Sequence, residues 1–203
     1  MTVDDQRIRQ INPPRYERVA YDLNGRSWLG QLWAGMTTPP RLRLLEDWIL
    51  ILPGGLQIIV PRGFVTDGAS IPRALWWLLS PFGVLLEGGI VHDFGYQYGY
   101  LLAPYRIDQP WNLASLRLRA EYAAIYGPTI PVYVGKGQGF YDDLLQEVTV
   151  DLTGASAQAW AARSALRLFG MLAWCRYRSL GPAAFTTNSL HIPGVDSDGR
   201  ALA

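Results

Sequence analysis

The spacing of apolar residues along this chain changes near residue 70. Between Tyr16 and Val60, short apolar runs alternate with polar residues and are broken by turn formers, the pattern of half-buried strands. YERVAYDL leads into Asn24-Gly25, a dipeptide that favours two-residue hairpins because both positions tolerate positive φ, and RSWLGQLWAG follows. After Pro39-Pro40, RLRLLEDWILIL and LQIIVP flank Pro53-Gly54-Gly55, a second hairpin signal. A small, mostly antiparallel sheet is predicted. Beyond Ser70 the spacing turns helical. Pro72 suits a first helical turn, and RALWWLLSPF reads as a short helix stopped by Pro81. LLEGGIVHDFGYQYGYLL reads as a second helix. Its Gly88, Gly89 and Gly95 would let another backbone approach closely, at a cost in helix propensity. GFYDDLLQEVTVDL and SAQAWAARSALRLFGMLAWCRYRSL close the chain's folded part, with Ser156 as N-cap of the last helix. The fold class expected is α+β: sheet first, packed helices second.

The pattern also divides the chain. Residues 1–15 are polar, end in Pro13-Pro14 and read as an extended arm; residues 16–180 form a single α+β domain. Within it, residues 103–138 carry several Pro and Gly without a clear period and read as an insertion, with LASLRLRAEYAAIY as a candidate short helix. Residues 181–203 form a polar, turn-rich tail. Neither arm nor tail has the apolar content to order itself, so both are expected to contact other chains instead of this domain's core.

Composition removes several functions. The net charge of +1 gives no electrostatic footprint of a nucleic-acid binder. One cysteine, Cys175, excludes an intramolecular disulfide framework and a cysteine-rich zinc site; in its apolar helical run it reads as a buried, inert thiol. The first residues lack the apolar core of a signal peptide. Ala74 to Val91 is the oiliest window, but Ser80-Pro81, Glu87 and Gly88-Gly89 break it short of the roughly 18 apolar residues a spanning helix needs. Eight Trp and eleven Tyr make the chain rich in aromatic side chains, which suit cores and interfaces alike.

The oily region holds the candidate chemistry. His92 is one of two histidines; the other, His191, lies in the Pro/Gly tail and carries no argument. On a helix His92 and Tyr96 share a face, while Asp93 is turned about 100° away. His92 and Asp93 are therefore not expected to pair as a simple dyad. Calcium-assisted ester hydrolysis needs such an arrangement: a histidine as general base, a neighbouring carboxylate for the cation, and a second carboxylate orienting the imidazole. A plainer arrangement is a structural network of His92, Tyr96 and one helical aspartate. Asp67-Gly68 can equally be a turn, with Asp67 or Ser70 capping the helix near Pro72. Trp76 and Trp77 read as core, partner interface or a lipid-facing rim.

HDFGY at 92–96 resembles the His-Asp-x-x-Tyr core of the phospholipase A2 families, the bacterial and fungal branch above all, and TDGAS sits where those enzymes carry a calcium loop. The resemblance implies His92 as base, with Asp67, Asp93 and the Gly68 carbonyl as calcium ligands. It further implies a dyad aspartate from the next long helix, Asp142 or Asp143, held by Tyr96. The chain departs from that pattern at Gly89, where the related sequences carry cysteine, and in having no disulfides. Helical counting favours Asp142, whose side is shared by Leu145, Gln146 and Thr149, over Asp143, which travels with Gln146, Glu147 and Val150. Asp108, in Arg106-Ile107-Asp108, ranks lower because Pro110 follows closely. A wider resemblance runs through IIVPRGFVTDGASIPR, VHDFGY and the closing helices: it is to uncharacterised phage and prophage proteins with the signature V-P-x-G-F-x-T-D-x-A-S-x-P followed by H-D-x-x-Y. It implies a viral or prophage origin and does not settle an activity; the expectation drawn here is a virion-associated protein, at the tail, multimeric among other phage structural proteins, in the virion or in the host cytoplasm before assembly. With the local motif it implies a calcium-dependent hydrolase of membrane lipid. The alternative is a purely structural tail or connector protein with a non-catalytic His-Asp network.

Overall fold

A computed structural model describes residues 6–19, 25, 27–30, 41–66, 83–104 and 129–179. It is α+β. Strands β1 (Arg9–Gln10), β2 (Tyr16–Val19), β3 (Arg41–Leu44), β4 (Trp48–Ile51), β5 (Gln57–Val60) and β6 (Val65–Thr66) precede helix α1 (Leu86–Tyr98). Strands β7 (Leu101–Pro104) and β8 (Thr129–Val132) then lead to helices α2 (Gln138–Thr153) and α3 (Ser156–Ser179). Five strands form one sheet in the order β1-β4-β5-β7-β8, and three form another, β2-β3-β6; all pairs are antiparallel.

Alternation decides which face each strand buries. In β3, Leu42 and Leu44 point inward and Arg41 and Arg43 outward; β4 buries Trp48 and Leu50, and β5 buries Ile58 and Val60. The β4–β5 hairpin turns through Gly54 and Gly55, both at φ +83°, a conformation that a side chain would strain. Leu52 N–H donates to Leu56 O (2.8 Å) and Gly55 N–H to Leu52 O (3.0 Å), closing the turn. Helix α1 is buried almost all round, packing on β5, β6 and β7 on one side and on α2 and α3 on the other. A helix so enclosed needs apolar residues on every face, which explains the oily stretch around His92.

Two glycines admit that packing. A Cβ on Gly95 would lie 2.7 Å from Tyr141 Cγ, and one on Gly88 would lie 2.6 Å from the Leu145 carbonyl, so α1 and α2 meet at close range.

Several expectations are corrected. The arm is not independent of the core: Ile8 is buried, Arg9 and Gln10 pair with Ile51 and Leu50, and Ile8 N–H donates to Asp151 of α2 (2.8 Å). Trp48 Nε1–H reaches Gln10 Oε1 and Asn12 O, both at 3.2 Å. Residues 28–30, expected as strand, form a helical turn in which Ser27 Oγ accepts from Gly30 N–H (3.3 Å). The serine cap outweighs the apolar alternation there. The helix through His92 does not reach Leu102. Gly99, at φ +75°, ends it, donating to Gly95 O (2.8 Å), and Leu101 starts β7. Residues 129–132, within the stretch read as an insertion, are β8 of the main sheet. Ser156 is the first helical residue, not the cap before it. Cys175 is exposed on α3. The hairpin at Asn24-Gly25, the helix at 72–81, Asp67, Gly68, Trp76, Trp77, Asp108 and the tail lie outside the described residues, except that Gly25 has φ +75°.

Candidate functional site

Three elements converge on His92. The side chain projects from the second turn of α1 toward α2, where the start of the helix offers Asp142. His92 Nε2 lies 3.1 Å from Asp142 Oδ1, and Tyr96 Oη donates to the same oxygen at 2.6 Å. One turn separates His92 from Tyr96, so their rings lie against each other, centroids 3.9 Å apart. On the other side of the imidazole, Nδ1 lies 3.3 Å from Asp93 Oδ1. Sequence reasoning set that pairing aside because adjacent helical residues diverge by about 100°. The two side chains bend toward each other enough to meet, though the contact is long.

The residues expected at the centre are thus distributed as follows. His92, Tyr96 and Asp142 come together, with Asp93 beside them; Asp143 does not join. Asp143 is partly exposed and takes Arg163 Nε at 2.5 Å and Arg167 at 2.8 Å. Leu145 and Thr149, on the Asp142 side, are fully buried, whereas Glu147, on the Asp143 side, is exposed. Asp67 and Gly68 fall outside the described residues.

Two further residues belong to the cluster. Thr66 of β6 donates its hydroxyl to Asp93 Oδ2 through a very short hydrogen bond. Thr66 lies within the G-F-x-T-D stretch, directly before Asp67, and that motif is the signal in the chain that points to it. Arg167 of α3 brings Nε within 3.2 Å of Asp142 Oδ2, an ion pair without hydrogen-bond alignment, and donates to the Gly139 carbonyl at 2.7 Å. No pattern in the chain links Arg167 to Asp142; only the packing of α3 on α2 does.

Burial sets the electrostatics. His92 and Asp142 have no exposed surface and Asp93 has 4%. Burial by itself opposes a charged imidazole, but the hydrogen bonds and negative charge of Asp142 and Asp93 outweigh it, and the pKa of His92 is raised. In its charged form the ring has an N–H for each carboxylate. Burial, reinforced by Asp142, pushes the Tyr96 hydroxyl up, so it remains a donor. Asp143 is held below the usual carboxylate range, since its bonds to Arg163 and Arg167 exceed the effect of desolvation.

Chemically, the cluster can fix one imidazole tautomer. Asp142 holds Nε2 as a donor, which leaves Nδ1 as the nitrogen that can take a proton. Among the described residues no group of three or more His, Cys, Asp or Glu side chains could hold a metal ion, and no helix is long and apolar enough to cross a membrane.

No solved structure matches this chain. A protein of Sinorhizobium fredii, named Uncharacterized protein y4jT, is 39% identical over 57 residues, which is 27% of this chain and 17% of the relative's length. The chain therefore spans less than a fifth of that relative. Residues 42–117, the stretch running from within β3 through β7 and including the whole of α1, match a family described as Protein of unknown function (DUF1353), so the part of the chain that builds the His92 helix is similar to an uncharacterised protein family.

Proposed function

We propose that this chain is a virion-associated phage protein, located at the tail, that carries an ester hydrolase centre of the phospholipase A2 type acting on membrane lipid. The observation that carries the catalytic part is the shared oxygen of Asp142. It receives both His92 Nε2 and Tyr96 Oη, as the sequence resemblance leads one to expect. In that arrangement Asp142 fixes the tautomer, Tyr96 holds Asp142, and His92 Nδ1 accepts the proton of an attacking water. The phage assignment rests on the signature VPRGFVTDGASIP followed by HDFGY.

The described residues do not by themselves fit a calcium ion. Only Asp93 of the expected ligands is among them, and its two oxygens already face His92 and Thr66. Calcium dependence therefore rests on Asp67 and Gly68.

A second reading has its own observation. His92 is wholly buried, and both ring nitrogens face carboxylates, which suits a non-catalytic clamp joining β6, α1 and α2. The deciding experiment incubates the purified full chain with phospholipid vesicles, with calcium and with a chelator, beside His92→Ala. Release of fatty acid that needs calcium and His92, from a variant that still folds, supports the hydrolase. No release by the wild type, together with lost stability in His92→Ala, leaves the clamp.

A further inference from the structure

Helix α3 turns one face to the core through Ala159, Ala162, Leu166 and Gly170. The opposite face should be polar if it met only water. Instead Trp160 (62% exposed), Leu168 (75%), Phe169 (58%), Met171 (54%) and Leu172 (83%) stand out from the helix. At 100° per residue, Ala161, Ser164, Leu168, Met171 and Cys175 fall on one line with the three- and four-residue spacing of a helix-pairing seam; Leu172 lies beside it, and Trp160 and Phe169 flank it. No charged residue lies on that line between Ala161 and Cys175. The neighbouring Arg163 and Arg167 are turned aside and held by Asp143.

We infer that this face is an isologous interface between two copies of the chain, with the two α3 helices packed antiparallel about a twofold axis near Leu168. The distribution of side-chain size gives the direction. The seam is small at its start, Ala161 and Ser164, and bulky further on, Leu168, Met171 and Leu172. Antiparallel pairing lays the small half of each helix on the bulky half of the other, so the two fit at close range; parallel pairing sets bulk against bulk and leaves a gap at Ala161. Antiparallel pairing also keeps the two Arg176 side chains apart, each near the start of the facing helix. The area reaches the threshold of a specific interface: Leu168, Met171 and Leu172 face the partner, while Trp160 and Phe169, about 80° and 100° to either side, contribute only an edge each, so a copy offers on the order of 500 Å², about 1,000 Å² in the pair. The interface is independent of the reading of the His92 site.

Sedimentation and cross-linking of the full chain test it. The wild type sediments at twice the 22.7 kDa of the chain at micromolar concentration, and Leu168→Lys and Leu172→Lys, at exposed positions that leave the circular dichroism unchanged, run as monomers. A short bismaleimide links Leu168→Cys to itself in a Cys175→Ser background. It does not link wild-type chains, because seven residues on either side of the axis separate the two Cys175 by roughly 20 Å. A monomeric wild type, a dimer that survives both lysines, efficient Cys175-to-Cys175 linking, or a face that binds phospholipid vesicles while the chain remains monomeric would each overturn the proposal.

Discussion

His92 and Asp142 stand 50 residues apart in the chain and meet at 3.1 Å with no surface exposed on either. The pair joins the buried helix α1 to α2, and its partners are close on both sides. Removing one member leaves the other's polar atoms buried without their partner, and such losses cost about 3–5 kcal/mol where a charge is left uncompensated. Asp142→Ala is expected to lower the unfolding free energy by that order. Denaturant melts of wild type and variant measure it; a change below about 1 kcal/mol would show that the pair carries little of the fold.

Tyr96→Phe isolates the other bond to Asp142. The ring keeps its place against His92 and Trp174, and only the hydroxyl is lost. A loss of about 1–3 kcal/mol is expected, the cost of a buried carboxylate short of one donor. If the hydrolase reading holds, the catalytic rate also falls while the apparent affinity for vesicles stays, because Tyr96 acts through Asp142.

The pH dependence has a definite sign. The folded pKa of His92 lies above its ordinary 6.5. The protonated ring therefore contributes stability that is fully present below about 6.5 and is lost as pH rises through the raised folded value. A general base needs the neutral ring, so hydrolysis would rise across the same interval in which stability falls. Melting temperatures and initial rates measured from pH 5 upward should run in opposite directions, and His92→Ala should flatten the first of these curves.

Gly95→Ala probes the approach of α1 to α2. The added methyl meets the Tyr141 ring, with Cγ only 2.7 Å away. Tyr141 is fully buried and cannot swing into solvent, so overpacking of about 1–3 kcal/mol is expected. Gly135→Ala is the contrast: its φ of +77° is strained for alanine, but nothing lies within 4 Å of the new methyl. Thermal unfolding should rank the first above the second in damage.

Ile8 tests the placement of the N-terminal strand. It is 2% exposed and belongs to the same apolar cluster as Leu50 and Phe94. Ile8→Ala should cost about 2–5 kcal/mol. Hydrogen exchange should protect the Ile8 amide, which donates to Asp151, in isolated protein. Rapid exchange there would return the segment to the role of a free arm.

The sequence by itself determined that sheet comes first and packed helices second, the hairpin at Pro53-Gly54-Gly55, and the span of α2 and α3, because those follow from local spacing of apolar residues and from glycine at the turns. It also singled out His92, Tyr96 and Asp142, since a helix of known pitch places the first two on one side and sorts Asp142 from Asp143 by their companions. What only the tertiary structure decided are relations between distant segments. Ile8 enters the core because the β4 edge and Asp151 are there to receive it, although its own neighbours are polar. Residues 129–132 are strand because β7 lies beside them. Thr66 reaches Asp93 and Arg167 reaches Asp142 because β6 and α3 are packed where they are. Local pattern encodes which face of an element is apolar; which other face it meets depends on the free energy of the whole packed core, and no single stretch of chain contains that.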